Sequence, residues 1–213
     1  MASSSQHNYE IISPYIFLKT LSTVASNRMP KDLTDYCAKS GFKPWNLLEE
    51  GVFFFFRQIL MLHTIKLGDN TLFEHEPEGI VLWDRCGTKH AFLYECKARK
   101  DGYALSADDV LRYKDYVRIK RHDVSVKYHL PLTHFVIVSS SFRGDINRRL
   151  KEFDLEGTCL TLASANMLTR LYERTKQLEY QDLLRLHVPR LLCRGRIEIE
   201  HVTECIEAVF DRK

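Results

Sequence analysis

The sequence lacks the features of a membrane protein and of a disulfide-stabilised one. Its longest purely apolar run, VFFFF at residues 52–56, is far shorter than the roughly 20 residues of a transmembrane helix. The opening MASSSQHNYE lacks the basic and then apolar layout of a signal peptide. The six cysteines show neither CxxC spacing nor a zinc-binding pattern, and 213 residues can bury a core without disulfides. We therefore expect a cytoplasmic protein with reduced thiols and no membrane partner.

The composition is that of an ordinary globular chain without a marked charge. Hydrophobic residues make up 45% of the sequence, and neither internal repeats nor Pro/Gly-rich linkers divide it. The net charge of +3 permits a polyanionic partner without requiring one. We predict one main domain over residues 45–213, preceded by a less periodic helical preface over residues 1–44.

Apolar periodicity predicts an α/β fold, with a central sheet flanked by helices. A helix packed on more than one face is expected through residues 44–65, because apolar residues recur there every three or four positions. They are Trp45, Leu48, Val52, Phe55, Ile59 and Leu62. Ser106 is the predicted N-cap of a second long helix, which opens with acids and ends with basic residues. Further strands are predicted at THFVIVSSS and TCLTL, and further helices at DINRRLKEF and SANMLTRLYERT.

Two short apolar runs separated by a polar stretch predict a β-hairpin between residues 78 and 97. If the turn is centred between Cys86 and Gly87, the numbers of opposed residues sum to 173, which sets Glu78 opposite Glu95. Directly opposed residues have Cβ atoms ~5 Å apart, and like charges at such positions destabilise a sheet. Because side chains alternate along a strand, Lys97 lies on the same face as Glu95.

Two carboxylates and an amine in one small volume suit a particular chemistry. Mg²⁺ typically binds one or two carboxylates together with water and substrate phosphate. A neighbouring amine can position or deprotonate an attacking water and can balance phosphate charge. These groups together favour metal-assisted phosphodiester hydrolysis. The alternative is an ordinary exposed strand end, where Glu and Lys are common, and Asp84 nearby is interpreted as a turn residue.

Beyond this motif, the sequence resembles the PD-(D/E)xK nucleases, and within them the cleavage domain of the type IIS restriction endonuclease FokI. The resemblance covers roughly residues 45–210 and follows the same order of segments. These segments are LLEEGVFFFF, PEGIVLW, ECKARKDGY, DDVLRY, HFVIVSSSFRGDINRRLKEF, GTCLTL and GRIEIEHVTECIEAVF. The resemblance implies a restriction-endonuclease-like mixed sheet and a DNA endonuclease that uses Mg²⁺, with Mn²⁺ as a possible substitute.

The resemblance also implies roles for individual residues. Glu78 and Glu95 match the two metal-binding acids, and Lys97 matches the catalytic lysine. The carbonyl of Cys96 matches a further metal ligand, and Glu49 matches an acid that contacts the metal through water, with a solvated helix acid as the alternative. The family usually has Asp at the position of Glu78, which is longer by one methylene group.

Phosphate contacts and subunit pairing are the remaining expectations. Basic residues near the acids are candidates for binding double-stranded DNA, namely Arg99, Lys100 and Arg143. By resemblance, Asp108 and Arg112 match an Asp/Arg pair on the surface where two cleavage domains meet, and an intrahelical pair is the alternative.

The sequence contains no zinc finger, basic zipper or helix-turn-helix that would read bases. A larger recognition subunit, a parent chain or a second nuclease domain is therefore an expected partner. A non-catalytic dimerisation or DNA-clamping subunit remains the alternative function, and the replacement of Asp by Glu78 is its best argument.

Overall fold

A computed structural model describes most of the chain. The described residues are 20–26, 28–41, 43–67, 76–85, 88–153, 157–176, 188, 191–192 and 195–210. Their strands are β1 (His63–Lys66), β2 (Gly79–Arg85), β3 (Thr88–Lys97), β4 (Tyr103–Ala104), β5 (Leu132–Ser139), β6 (Phe142–Arg143), β7 (Cys159–Ser164) and β8 (Arg196–Ile197). Their α-helices are α1 (Lys31–Ser40), α2 (Pro44–Phe54), α3 (Ala107–Tyr128), α4 (Ile146–Glu152), α5 (Ala165–Lys176) and α6 (Ile199–Phe210). Thr20–Val24 and Phe55–Ile59 form π-helical turns.

Six strands form one mixed sheet in the order β1-β2-β3-β5-β7-β8. The strands β1, β2 and β3 are antiparallel neighbours, whereas β5, β7 and β8 continue from β3 in parallel. The strands β4 and β6 form a separate parallel pair. The predicted α/β class with a mixed sheet flanked by helices is therefore confirmed. Within the described residues, no helix is both long and apolar enough to cross a membrane.

Two hydrophobic clusters cover the two faces of the sheet, as the alternation along β3 requires. Phe92 and Tyr94 belong to one cluster, which includes side chains of α2 and α5, whereas Leu93 belongs to the other, which includes α3. Leu21 and Leu33 join the first cluster, so the described part of the predicted preface packs into the same core.

The β2–β3 hairpin has the predicted register. Paired residues run from Gly79 with Tyr94 to Arg85 with Thr88, and each pair sums to 173. The turn residues Cys86 and Gly87 lie outside the described residues. Because a slip of one residue would exchange the two faces of the strand, this register decides on which face Glu95 lies.

The predicted helix over residues 44–65 is wrong in its last part. The helical turns end at Ile59, Met61 has a φ of +48°, and residues 63–66 form the edge strand β1 instead. The left-handed backbone at Met61 cannot continue a right-handed helix. Pairing of β1 with β2 then satisfies the backbone polar groups that an extended segment exposes. Trp45 is also 51% exposed rather than packed in the core.

The other predicted elements are confirmed. Ser106 caps α3 by accepting a hydrogen bond from the Asp109 amide, and the Asp109 carboxylate accepts one from the Ser106 amide. This reciprocal pair satisfies two of the amide groups that a helix N-terminus leaves free. Asp145 caps α4 in a similar way. The strands β5 and β7 occupy the two predicted apolar segments, and α5 follows β7 directly.

We expect His134 to contribute a loss of stability to the folded protein in mild acid. This side chain is 3% exposed, its ring centroid lies 6.1 Å from that of His90, and its Nδ1 lies 2.7 Å from the Thr133 hydroxyl. Burial, followed by the charge of His90, lowers the pKa of His134 to about 4. A histidine with a lowered pKa binds its proton mainly after unfolding, so its contribution is complete above pH ~6.5 and is lost as the pH falls towards 4.

The measurement is the melting temperature between pH 7.5 and 4.5. At about 1.4 kcal/mol per pKa unit, His134 alone contributes a loss of up to ~3 kcal/mol over this change. Relative to the parent, His134→Gln should gain stability at pH 4.5 compared with pH 7.5, whereas His122→Gln, which replaces an exposed histidine, should keep the pH dependence of the parent. The same pH dependence in both variants would contradict this assignment.

Candidate active site

Glu95 and Lys97 lie at the carboxyl end of β3. Glu95 is only 4% exposed, and the Lys97 Nζ donates a hydrogen bond to its Oε1. The second carboxylate oxygen, Oε2, is buried and has no hydrogen-bond partner within 3.5 Å among the described residues, although the Glu78 backbone amide interacts with the carboxylate and lowers its pKa. Burial raises the pKa of Glu95, while the charge of Lys97 lowers it. A buried carboxylate with only one hydrogen-bonded oxygen lowers the stability of the fold, and buried oxygens in proteins are normally hydrogen-bonded. The unpaired oxygen is therefore a candidate for binding a ligand.

Glu78 directly precedes β2, so the hairpin register continued by one residue sets it opposite Glu95. Burial, followed by the carboxylates of Glu49 and then Glu95, raises the pKa of Glu78 to about 8. The charges of Lys97 and Lys66 act in the opposite direction. The structure therefore brings the two predicted acids and the predicted lysine into one electrostatically coupled group.

Glu49 lies on α2 and joins the same group from the other face of the sheet. Its Oε2 accepts a hydrogen bond from Asn46 Nδ2 at 3.3 Å. Burial raises the pKa of Glu49 to about 7, and the carboxylate of Glu95 is among the charges that raise it. The sequence left open whether Glu49 is a site acid or a solvated helix acid, and the half-buried position beside the other acids favours the former.

A second lysine–glutamate pair borders this group and was missed by sequence reasoning. Lys66, the last residue of β1, forms an ion pair with Glu50 of α2, and both side chains are largely buried. The Nζ of Lys66 also lies 5.1 Å from the ring centroid of Phe53. No motif marks these residues, and Lys66 directly follows the segment over residues 44–65 that was predicted to be a helix.

The loop that follows Lys97 presents the predicted phosphate-binding residues. The Ser139 hydroxyl donates to the Lys97 carbonyl at 2.7 Å, and the Ser140 hydroxyl donates to the Arg99 carbonyl at 2.8 Å. The Arg99 amide donates in turn to Ala25 at 2.9 Å. Arg99 and Lys100 are exposed on this loop. These hydrogen bonds hold the backbone, so the two basic side chains extend from a fixed position.

Arg143 lies on β6, and Cys96 lies on β3. Arg143 is exposed on β6, which pairs with β4 directly after the loop that carries Arg99 and Lys100. Cys96 lies between Glu95 and Lys97, and its thiol is buried among apolar side chains. Burial raises the thiol pKa well above its ordinary value, so the thiol is not a reactive group, and only the carbonyl is suited to bind a cation.

The first turns of α3 hold Asp108 and Arg112. Asp108 is exposed, whereas Arg112 is half-buried and donates to the Asp109 carboxylate at 2.5 Å. Arg112 also donates to the Tyr113 hydroxyl at 3.4 Å. In the isolated chain, the intrahelical partner of Arg112 is therefore Asp109, one residue from the predicted Asp108.

The oxygen-rich donor set fits a hard divalent cation. Within the part of the chain that the structure describes, no three His, Cys, Asp or Glu side chains are arranged to surround an ion. Mg²⁺ does not need such a cage, because it uses one or two carboxylates and keeps several waters. The buried, unpartnered Oε2 of Glu95 is the oxygen best suited to serve it. The residues therefore fit a water-rich magnesium-type site.

Gly79→Ala should destabilise the protein by about 1–3 kcal/mol, the usual cost of overpacking. Gly79 follows Glu78, and an added Cβ would lie 2.5 Å from the Ile65 carbonyl oxygen and 2.6 Å from the Tyr94 ring. Neither neighbour can move easily, because one is sheet backbone and the other is a fully buried side chain. Thermal unfolding of this variant is the measurement, and an unchanged melting temperature would show that β1 and β3 separate more readily than the packing implies.

Comparison with known proteins agrees with this geometry. The family model "FokI, cleavage domain" matches residues 17–187. A solved structure of restriction endonuclease FokI superposes with a TM-score of 0.62 at 18% identity, over 90% of this chain and 32% of the FokI chain. A second structure, of restriction endonuclease FokI bound to DNA, gives 0.61 at 17% identity over the same shares. Among curated proteins, no relative matches the chain.

The chain thus spans about a third of the FokI chains that share its fold. The family match covers well over half of the 213 residues. It includes every acid and lysine of the site described above. The chain therefore belongs to the FokI cleavage domain family.

Proposed function

We propose that this protein is a divalent-metal-dependent DNA endonuclease that hydrolyses phosphodiester bonds as a nuclease-type cleavage domain or subunit. The observation that carries the proposal is the buried carboxylate of Glu95, which accepts a hydrogen bond from the Lys97 ammonium on one oxygen and, within the described part of the chain, has no hydrogen-bond partner within 3.5 Å on the other. A purely structural ion pair gives no reason to leave that oxygen unsatisfied. Membership of the FokI cleavage domain family supports the same reaction class.

The proposed roles follow from the chemistry of the side chains. Glu78, Glu95 and the Cys96 carbonyl would hold Mg²⁺ or Mn²⁺, and Glu49 would bind through water. When bound, the cation would polarise the phosphodiester and make a bound water more acidic. Lys97 would orient the attacking water and balance the charge that develops on the phosphate, since its ammonium already lies beside Glu95.

Double-stranded DNA is the proposed substrate. Arg99, Lys100 and Arg143 would contact phosphates, because all three are exposed on segments that flank the acids. Such contacts fix the position of a duplex without reading its sequence. The recognition element is proposed to lie in another domain or subunit, since this chain spans only about a third of the FokI chains.

A plasmid-nicking assay tests the proposal directly. Supercoiled plasmid should be converted to the nicked form with Mg²⁺ or Mn²⁺ and should stay intact with a chelator. The assay is run with and without a DNA-tethering partner, because phosphate contacts alone give weak binding at physiological salt. Absence of nicking under all these conditions would refute the enzymatic proposal.

The second candidate is a non-catalytic subunit that dimerises or clamps DNA. The observation in its favour is Glu78, which replaces the usual Asp and whose pKa is raised to about 8. A protonated Glu78 would be a poor cation ligand. Retention of DNA binding, together with loss of nicking in every metal, is the result that this candidate predicts.

Pairing of two domains is proposed to follow from the chemistry, because one site cuts one strand at a time. If Asp108 of one domain meets Arg112 of another, Asp108→Arg should reduce double-strand cutting about tenfold and nicking much less. A mixture with an Arg112→Asp domain should restore cutting. The intrahelical contact of Arg112 with Asp109 must open for this pairing, so dimerisation should be weak without DNA. Equal loss of both activities without rescue would place the pairing surface elsewhere.

A further inference from the structure

The ion pair between Lys66 and Glu50 adjoins the candidate site, and neither residue is a proposed metal ligand. Lys66 pairs with Gly79 across β1 and β2, and the next residue, Leu67, donates its amide to the Glu78 carbonyl at 3.1 Å. Glu50 follows Glu49 on α2 and is 8% exposed. The pair therefore connects the edge strand to α2 directly beside two of the site acids.

The ion pair contributes to the net charge of the site. The four carboxylates are those of Glu49, Glu50, Glu78 and Glu95. The two ammonium groups belong to Lys66 and Lys97. Four negative and two positive charges leave a net charge of −2 when all are ionised, which matches one divalent cation. Arg112 also lowers the pKa of Glu95, but it is paired with Asp109, so the two together add no net charge to this count.

We propose that Lys66 is a charge-setting residue: held by Glu50, it fixes the net charge of the carboxylate group and so sets the affinity of the site for a divalent cation. The proposal rests on the function proposed above. Lys66 acts through the field at the acids and not as a ligand, because its Nζ is occupied by Glu50 and lies over the Phe53 ring. Its charge also lowers the pKa values of Glu49 and Glu78, which indicates how closely it faces them.

A purely structural role is the competing explanation, and the chain offers a matched control. Lys120 of α3 forms an ion pair with Glu76, and their side chains are 14% and 20% exposed. The side chains of Lys66 and Glu50 are similarly buried, with exposures of 18% and 10%. Both pairs join a lysine to a glutamate that is distant in sequence. Loss of either pair should therefore cost similar stability, whereas only the Lys66 pair should affect a bound cation.

The experiment measures Mn²⁺ binding to the intact chain by isothermal titration calorimetry, together with melting temperatures. Lys66→Met keeps the aliphatic stem and makes the site more negative, so Mn²⁺ should bind about fivefold more tightly. Glu50→Gln keeps the shape and makes the site less negative, so binding should weaken about fivefold. The double variant restores the net charge and should bind within about twofold of the parent. Lys120→Met should leave Mn²⁺ affinity unchanged.

The diagnostic result is that Lys66→Met strengthens Mn²⁺ binding and Glu50→Gln weakens it. If the pair were purely structural, both variants would weaken Mn²⁺ binding. If both variants weaken Mn²⁺ binding, or neither changes it, the charge-setting role is wrong and the proposed function is untouched. A tightening by Lys120→Met equal to that by Lys66→Met would also overturn the role. If the parent chain binds no Mn²⁺ at all, the proposed function fails, and this inference fails with it.

Discussion

Glu95→Ala and Lys97→Ala are each expected to reduce DNA cleavage by about a thousandfold or more while leaving the fold intact. Glu95→Ala removes the buried carboxylate proposed to bind the cation. It also removes the partner of a like charge across the hairpin, so stability without metal should hold or rise. Lys97→Ala removes the ammonium that lies on Glu95 Oε1. The measurements are nicking rates in Mg²⁺ and Mn²⁺ and thermal unfolding without metal.

Asp84→Ala is the matched control for Glu95→Ala. Asp84 is an acid of the same hairpin, but its side chain is 61% exposed, and its contact with Lys89 at 4.0 Å is a weak surface pair. Its loss should change neither nicking nor stability measurably. Nicking by Glu95→Ala at the rate of the parent would remove Glu95 from the site.

Mg²⁺ or Mn²⁺ should raise the melting temperature, and the increase should be larger at pH 8.5 than at pH 6. Burial raises the pKa values of Glu49 to about 7 and of Glu78 to about 8, so both carboxyl groups carry protons at pH 6. A proton on a ligand oxygen competes with the cation, so binding strengthens as the pH rises through this range. At a hundredfold excess over Kd, bound cation stabilises a fold by about 2.7 kcal/mol.

Without metal, the same two groups should destabilise the protein as the pH rises. A carboxyl group with a raised pKa binds its proton more tightly when folded. Its stabilising contribution is therefore complete below the unfolded pKa near 4.3 and is lost as the pH rises through 7 to 8. Glu78→Gln should make this decline between pH ~4.3 and ~8 less steep and should weaken the effect of metal. A metal-induced shift of equal size at both pH values would show that these carboxyl groups do not bind the cation.

The two pH effects overlap between pH ~4.3 and ~6.5 and act in opposite directions. The His134 contribution is lost as the pH falls through this range, whereas the contribution of Glu49 and Glu78 is lost as the pH rises through it. Without metal, His134→Gln and Glu78→Gln should therefore change the slope of stability against pH in opposite senses. Divalent cations should offset the loss at higher pH, whereas K⁺ at matched ionic strength, which tests a general effect of ionic strength, should not.

Features of this protein that depend on local chemistry follow from the amino-acid order alone. A short turn fixes the register of its own hairpin, so the pairing that aligns Glu78 with Glu95 could be calculated from residue numbers. Alternation then placed Lys97 beside Glu95, and the capping chemistry of Ser106 placed the start of α3. These relations involve residues close in the chain, and they hold whatever else the protein contacts.

Contacts between segments that are distant in the chain depend on the packing of the whole fold. Residues 63–66 form a strand and not a helical extension because β2 offers them a partner, and apolar spacing cannot reveal that partner. The pairing of Lys66 with Glu50, the burial of Glu49 beside Glu95, and the engagement of Arg112 by Asp109 depend on how α2, β1 and α3 pack. Burial raises the pKa values of the site acids, and burial is a property of the packed fold.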